Sequence, residues 1–236
     1  MPAGTSIIIM MMTRIIIIMT DTALLRLLTW LSPAFPTGGF AYSHGLEWTV
    51  EVGDIKDRVS LHAWLEDVLR HGAARSDTIL LRHAHRAAHD RAALTGLSAL
   101  ACATSSSRER QAESLGQGNA FVAAARPWCS DLLAGEPRTP YCIAIGALAG
   151  RSGIAEDDAA LAFLHGFAAN LISAAIRLVP LGQSAGLAVL AALEQDLLGI
   201  ADATRAASLD DLGTACFRAD IAAMRHETQY TRLFRS

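Results

Sequence analysis

The chain has 236 residues, 52% of them hydrophobic and 18% charged, with a formal net charge of −3. That length can bury a sizeable core as one large domain or two small ones, and the composition excludes an intrinsically disordered chain. The near-neutral charge gives no field for nucleic acid, and the single lysine, Lys56 in "GDIKDR", excludes a P-loop, whose lysine follows a glycine-rich turn.

The first residues, "MPAGTSIIIMMMTRIIIIMTD", resemble a targeting element, but Arg14 splits the apolar stretch and neither a basic n-region nor a small-residue cleavage site accompanies it. A spanning helix needs ~20 apolar residues. Residues 1–20 are therefore expected to lie outside the domain, either as a start placed ahead of the more natural Met19 or as a tail of little order. The domain is expected over residues 21–236, with no membrane segment.

From Asp21 onward the dominant period is helical. An apolar helix over Ala23–Leu31 leads into "SPAFPTGGFAYSHGLE", residues 32–47, where two prolines and two adjacent glycines demand a non-helical turn. Ser43 is the expected N-cap of the helix that follows. In "SLHAWLEDVLRHG" the residues Leu61, Trp64, Leu65, Val68 and Leu69 form one stripe, and Gly72 offers a stop. In "LLRHAHRAAHD" the spacing puts His85 and His89 on one helical face, where they could chelate nickel or zinc, with His83 pointing elsewhere. No third ligand is near, and Arg82, Arg86 and Arg91 would repel a cation, so a solvated face is the favoured reading.

A long helix is expected over roughly 157–179, closed by Pro180. Within it His165, Ser173 and Arg177 fall near one line with Asn170 beside it. Such a stripe is either a satisfied core network or the lining of an interface or wet passage, and periodicity does not choose between them. The next helix is expected from Ser184 with Gly199 as its terminus. The last is expected to start at Ser208, paired with Asp211 in a capping box. Asp157–Asp158 and Asp210–Asp211 sit at expected helix starts. No alternating apolar and polar segments support a sheet, and no interruption is long enough for a domain linker. The reading is an all-α, single-domain helical bundle of about eight to ten helices.

The chain carries no nucleophile elbow, no HExxH and no framed carboxylate pair, so an enzyme is not expected. Cys102, Cys129, Cys142 and Cys216 show no CxxC spacing, which argues against a zinc site or a disulfide framework and for a reducing cytoplasm.

The end, "MRHETQYTRLFRS", sets Tyr230, Leu233 and Phe234 among Arg225, Arg232 and Arg235. Aromatic residues and arginine are enriched at interface hot spots, so the tail reads as a docking element. The competing arrangement is a tail folded back on its own domain.

Three of these stretches together resemble the UreF family of urease accessory proteins. "LLRLLTWLSPAFPTGGFAYSHGLE" is similar to the family's helix and glycine turn, "NLISAAIRLVPLGQSAGLAVLAAL" carries its R-L-x-P-L-[GS]-Q core, and "DIAAMRHETQYTRLFRS" matches its C-terminal motif. The resemblance spans roughly residues 22–236 and is looser around "SSSRERQAESLGQG", where Gln111 stands in place of a frequent arginine.

The resemblance implies an all-helical, dimerising, non-enzymatic chaperone component without cofactor. It would bind a UreD/UreH-type protein, recruit the GTPase UreG and support nickel delivery to apo-urease, its tail becoming ordered on the UreD-type partner. By position it assigns Arg225, His226, Glu227, Tyr230, Arg232, Leu233 and Phe234 to partner binding. Gly38, Gly39, Phe40, Ser43 and Glu47 form a second contact or shaping region, and Arg177, Pro180, Leu181, Gly182 and Gln183 a third. A metal carrier using His85 and His89 is the alternative.

Overall fold

The computed structural model describes residues 21–136 and 138–236; the expectations for residues 1–20 lie outside the described residues. Among the described residues there are α-helices and short 3-10 turns but no strand. In chain order the helices are α1 (Asp21–Trp30), α2 (Leu46–Glu51), α3 (Arg58–His71), α4 (Ala73–Arg86), α5 (Arg91–Ala103), α6 (Arg108–Ala124) and α7 (Tyr141–Arg151). They continue as α8 (Glu156–Leu178), α9 (Gln183–Ala192), α10 (Glu194–Ala203) and α11 (Phe217–His226). The halves α9 and α10 form one rod bent by 40°.

Local chemistry explains most boundaries. Asp57 accepts the Ser60 amide at 2.8 Å while the Ser60 hydroxyl accepts the Asp57 amide, a reciprocal cap that starts α3. The expected stripe of α3 is buried throughout, and Gly72 ends this helix and begins the next. The long helix runs over Glu156–Leu178 and stops before Pro180, as its sequence dictates.

Two apolar clusters share α8. Its first half contributes Ala159, Ala160 and Phe163 to a core built with α1, α4, α5, α6 and α7. Its second half contributes Leu164, Ala168, Leu171, Ile172 and Ala175 to a core built with α2, α3, α9, α10 and α11. By length and apolarity alone α8 could cross a membrane, yet half of its most apolar window is buried inside this bundle. The close packing of α4 against α7 rests on small residues: a Cβ on Gly146 would lie 2.3 Å from the Leu81 carbonyl oxygen. Arg82, buried on α4, binds Glu156 at 2.7 Å and Asp157 at 2.8 Å, tying α4 to the acidic first turn of α8.

Four expectations change. Ser208 and Asp211 do form their capping box, but on a 3-10 turn over Leu209–Asp211; Gly213 then breaks the chain with φ 140°, and α11 begins only at Phe217. Gly199 lies inside α10, not at a terminus, because the break falls at Leu193. Ser43 is not the N-cap, although its hydroxyl accepts the first-turn amide of Glu47 at 3.4 Å; α2 starts after Gly45, whose φ of 76° and tight approach to the Ala223 backbone exclude a side chain.

His85 and His89 share no helical face, because α4 ends at Arg86. Instead His85 and His83 place their Nε2 atoms 2.8 and 3.1 Å from the backbone carbonyls of Ile154 and Ala207, and no group of three metal-ligating side chains occurs among the described residues. Of the cysteines, Cys142 and Cys216 are buried and Cys102 and Cys129 half-buried, all with free thiols.

Two glycines give a paired test. Gly146→Ala forces the α4–α7 contact apart and should destabilise by about 1–3 kcal/mol. Gly199→Ala meets nothing within 4 Å and should stabilise by about 0.5–1 kcal/mol through helix propensity alone. Urea denaturation of the two variants measures both.

Candidate functional site: the convergence of turn, long helix and tail

The chain folds so that the glycine turn, the end of α8 and the C-terminal tail meet. The turn leaves α1 through Pro33 and Pro36 and reverses at Gly38, with φ 73°, into a 3-10 turn over Gly39–Ala41. It continues through His44, a non-glycine residue at φ 58°, before α2 begins. Arg177, in the last turn of α8, reaches across to donate to the Phe40 carbonyl at 2.7 Å, and its guanidinium lies 4.4 Å from the centre of the Phe234 ring. One side chain therefore joins three stretches that are far apart in sequence. Arg177, His165 and Ser173 are exposed and Asn170 is half-buried, so the stripe is a face of the bundle and not a core network.

Beyond α11 the tail has no regular structure, and its backbone donors need acceptors. Glu47 supplies them. Its carboxylate takes the Leu233 amide at 2.6 Å and the Phe234 amide at 2.9 Å, with His226 Nε2 at 3.2 Å. The other ring nitrogen of His226 faces Glu109 at 2.7 Å, and Glu109 also accepts from Arg232 at 2.8 Å. Glu227 reaches over the first turn of α6 and accepts the Arg108 amide at 3.0 Å, where a carboxylate suits the helix dipole. The last residue is held too: the Ser43 amide donates to the Ser236 carbonyl at 2.7 Å, joined by the Ser43 hydroxyl.

A second ionic group lies beneath. The buried Glu113 accepts from Gln117 at 2.9 Å and from the Ser236 hydroxyl at 2.6 Å, and forms ion pairs with Arg110 at 2.6 Å and with His44 at 2.6 Å. Burial alone would raise its pKa, but Arg110 and His44 outweigh it and hold the carboxyl at about 2. Asp77 fares differently. Its carboxylate is 3.8 Å from Arg110, and burial pushes it up to about 6. Burial and the charge of Arg110 together push His44 down.

The tail is thus folded back and clamped, yet it also presents a surface. His226 and Phe234 are 0% and 4% exposed, whereas Tyr230 is 103% and Leu233 58% exposed. Arg225 is exposed and Arg232 half-exposed, and Phe40 protrudes at 71%. On the adjoining α11, Phe217, Ile221 and Met224 leave an apolar strip at i, i+4 and i+7 open to solvent. Of the residues singled out by sequence, Ser43, Glu47, His226, Glu227 and Phe234 hold the tail, while Phe40, Arg225, Tyr230 and Leu233 face outward. Gln183 sits exposed at the start of α9, where its side chain makes no hydrogen bond with the described residues.

Sequence reasoning missed Glu109, Arg110 and Glu113, which lie in the "SSSRERQAESLGQG" stretch where the family resemblance is loosest. Their spacing puts Glu109 and Glu113 on one face of α6, a signal of paired anchors that no template for catalysis would flag. Asp77 and His44 offered no signal beyond their identities.

Asp77 gives a pH test. Its raised pKa means that its stability contribution is fully present below its unfolded value near 3.8 and lost as pH rises through about 6. Asp77→Asn should therefore stabilise the protein at pH 8, by about 1–3 kcal/mol, with the gain fading toward pH 4. Thermal melts of both proteins across that range measure it.

Comparison with known proteins gives the family. The profile of the UreF family matches residues 55–194. The chain is 50% identical over 225 residues to the urease accessory protein UreF of Rhodopseudomonas palustris (strain TIE-1), covering 92% of this chain and 93% of the relative. It is 49% identical over 218 residues to the protein of that name from Mesorhizobium japonicum, covering 92% and 98%. With that of Methylobacterium radiotolerans the identity is 48% over 220 residues, covering 90% and 96%. The matches to the relatives extend well beyond the profile, and the chain belongs to the UreF family of urease accessory proteins.

Proposed function

We propose that this chain is a non-enzymatic scaffold of urease maturation, acting in the cytoplasm as a dimer through the surface its clamped tail presents. In this reading residues 21–236 work as one unit. They bind a UreD/UreH-type accessory protein and the GTPase UreG, and the assembly supports GTP-dependent nickel insertion into apo-urease. One observation carries the proposal: Arg177 and a set of buried carboxylates draw the three family motifs to one place, while Tyr230, Leu233 and the outer strip of α11 are left facing water. An apolar patch framed by arginines and fixed on a rigid support is what a protein partner recognises. The carboxylates of Glu47 and Glu109 are occupied by tail amides, His226 and Arg232, which favours a structural over a catalytic use.

The buried members act by positioning. Glu47, His226, Glu227, Ser43 and Phe234 set the path of the tail, and Tyr230, Leu233 and Arg225 make the contact, with Arg232 serving both ends.

Tyr230→Ala combined with Leu233→Ala removes two outward side chains and leaves the clamp intact. Pull-down with the UreD-type protein should lose the complex, while thermal stability stays within about 0.5 kcal/mol of the parent. Retention of the partner at parental strength would contradict the assignment of this surface.

A further inference from the structure

The described residues enclose a cavity of about 250 Å³ between the glycine turn, α4, α6, α7 and α8. The scaffold role proposed above does not use it. Its size is near the small end of ligand sites, which run from ~300 to 1,000 Å³, so it suits a compact ligand and not a nucleotide.

One wall is aromatic. The rings of Tyr141 and Phe163 lie 6.0 Å apart, Phe163 and Phe167 6.4 Å, and His44 packs edge-on to Phe167 at 4.7 Å. The charged side holds Asp77, Arg110 and Glu113, so one guanidinium faces two carboxylates. Glu113 is the better satisfied member: Gln117 and the Ser236 hydroxyl donate to it, and Arg110 and His44 pair with it. Among the described residues Asp77 has only Arg110 at 3.8 Å and the weak thiol donor of Cys142. Burial and Arg110 push His44 toward its neutral form, against the pull of Glu113, so it adds little compensating charge above neutral pH. In that range the cavity therefore carries one negative charge in excess, beside the faces and edges of several rings.

Near the mouth, oxygens of Asn170, Gln117 and Thr37 approach the open side of Gly39, at 3.5, 3.5 and 3.7 Å from where a Cβ would stand. The space that glycine leaves is bordered by hydrogen-bonding groups from three elements. An anion would meet two carboxylates there, whereas a cation would meet an under-neutralised one and aromatic walls, the pairing by which proteins hold ammonium groups.

We propose that this cavity binds a compact organic ammonium ion, with Asp77 as its counter-charge and Tyr141, Phe163 and Phe167 as its walls. The site touches the same turn that Arg177 grips, and Glu113 joins its floor to the last residue of the tail.

Calorimetric titration of the full chain at pH 8 with choline, tetramethylammonium and n-butylammonium tests this, with 3,3-dimethylbutan-1-ol as the neutral isostere of choline. At least one of the three cations should bind one per chain. Choline, if it is the one, should bind at least roughly tenfold more tightly than its isostere. Asp77→Asn should weaken that cation at least roughly tenfold, with helical content unchanged by circular dichroism. Equal binding of choline and its isostere, or cation binding indifferent to Asp77→Asn, would overturn the proposal. So would the absence of binding by all three cations up to roughly 50 mM, which would leave the cavity to water. Because the tail surface is not altered in these experiments, their outcome is independent of partner binding.

Discussion

The carboxylate of Glu47 is the point on which the described arrangement depends. It is buried, it receives two backbone amides from a segment without secondary structure, and it shares His226 with Glu109. A buried carboxylate is costly unless donors surround it, and an irregular tail is costly unless its amides find acceptors. Each cost offsets the other. The same logic repeats at Glu113, which takes the Ser236 hydroxyl, and at Glu227, which takes the first amide of α6. The tail is therefore held by charge-assisted hydrogen bonds more than by apolar burial, Phe234 being its main buried ring.

Such a segment differs in character from the bundle beneath it. The two apolar clusters that meet along α8 bury helix faces over many residues, whereas the tail hangs on a few carboxylates. Local opening is drawn from regions with few buried apolar contacts, so the tail is the segment expected to open before the bundle. That separation suits a scaffold. The body sets where the surface sits, and the outward side chains of Tyr230, Leu233 and α11 remain free for another polypeptide.

Much of the fold was legible because its signals are periodic. The stripe on α3 and the long helix before Pro180 follow from spacing and from the loss of a backbone donor. Where the reading failed, local chemistry was correct but its scale was not. Ser208 and Asp211 cap a turn three residues long, and the Ser43 hydroxyl, besides accepting the Glu47 amide, donates to Ser236, 193 positions away. His85 and His89 looked like a chelating pair only while α4 was taken to continue past Arg86. The outward half of the candidate site could be read from aromatic and arginine residues in the final segment. The inward half could not. Which carboxylate meets which amide is decided by tertiary proximity, and Glu109 and Glu113 gave no sign of facing a tail more than a hundred residues away.

Hydrogen exchange on Glu47→Ala tests the clamp most directly. Without that carboxylate the amides of Leu233 and Phe234 lose their acceptor, and the loss of about 2–4 kcal/mol should be confined to the tail. Residues 229–236 should then exchange rapidly while the amides of α7 keep the protection of the parent. Unchanged protection of the tail in Glu47→Ala would contradict the account, because something other than this carboxylate would then be holding it.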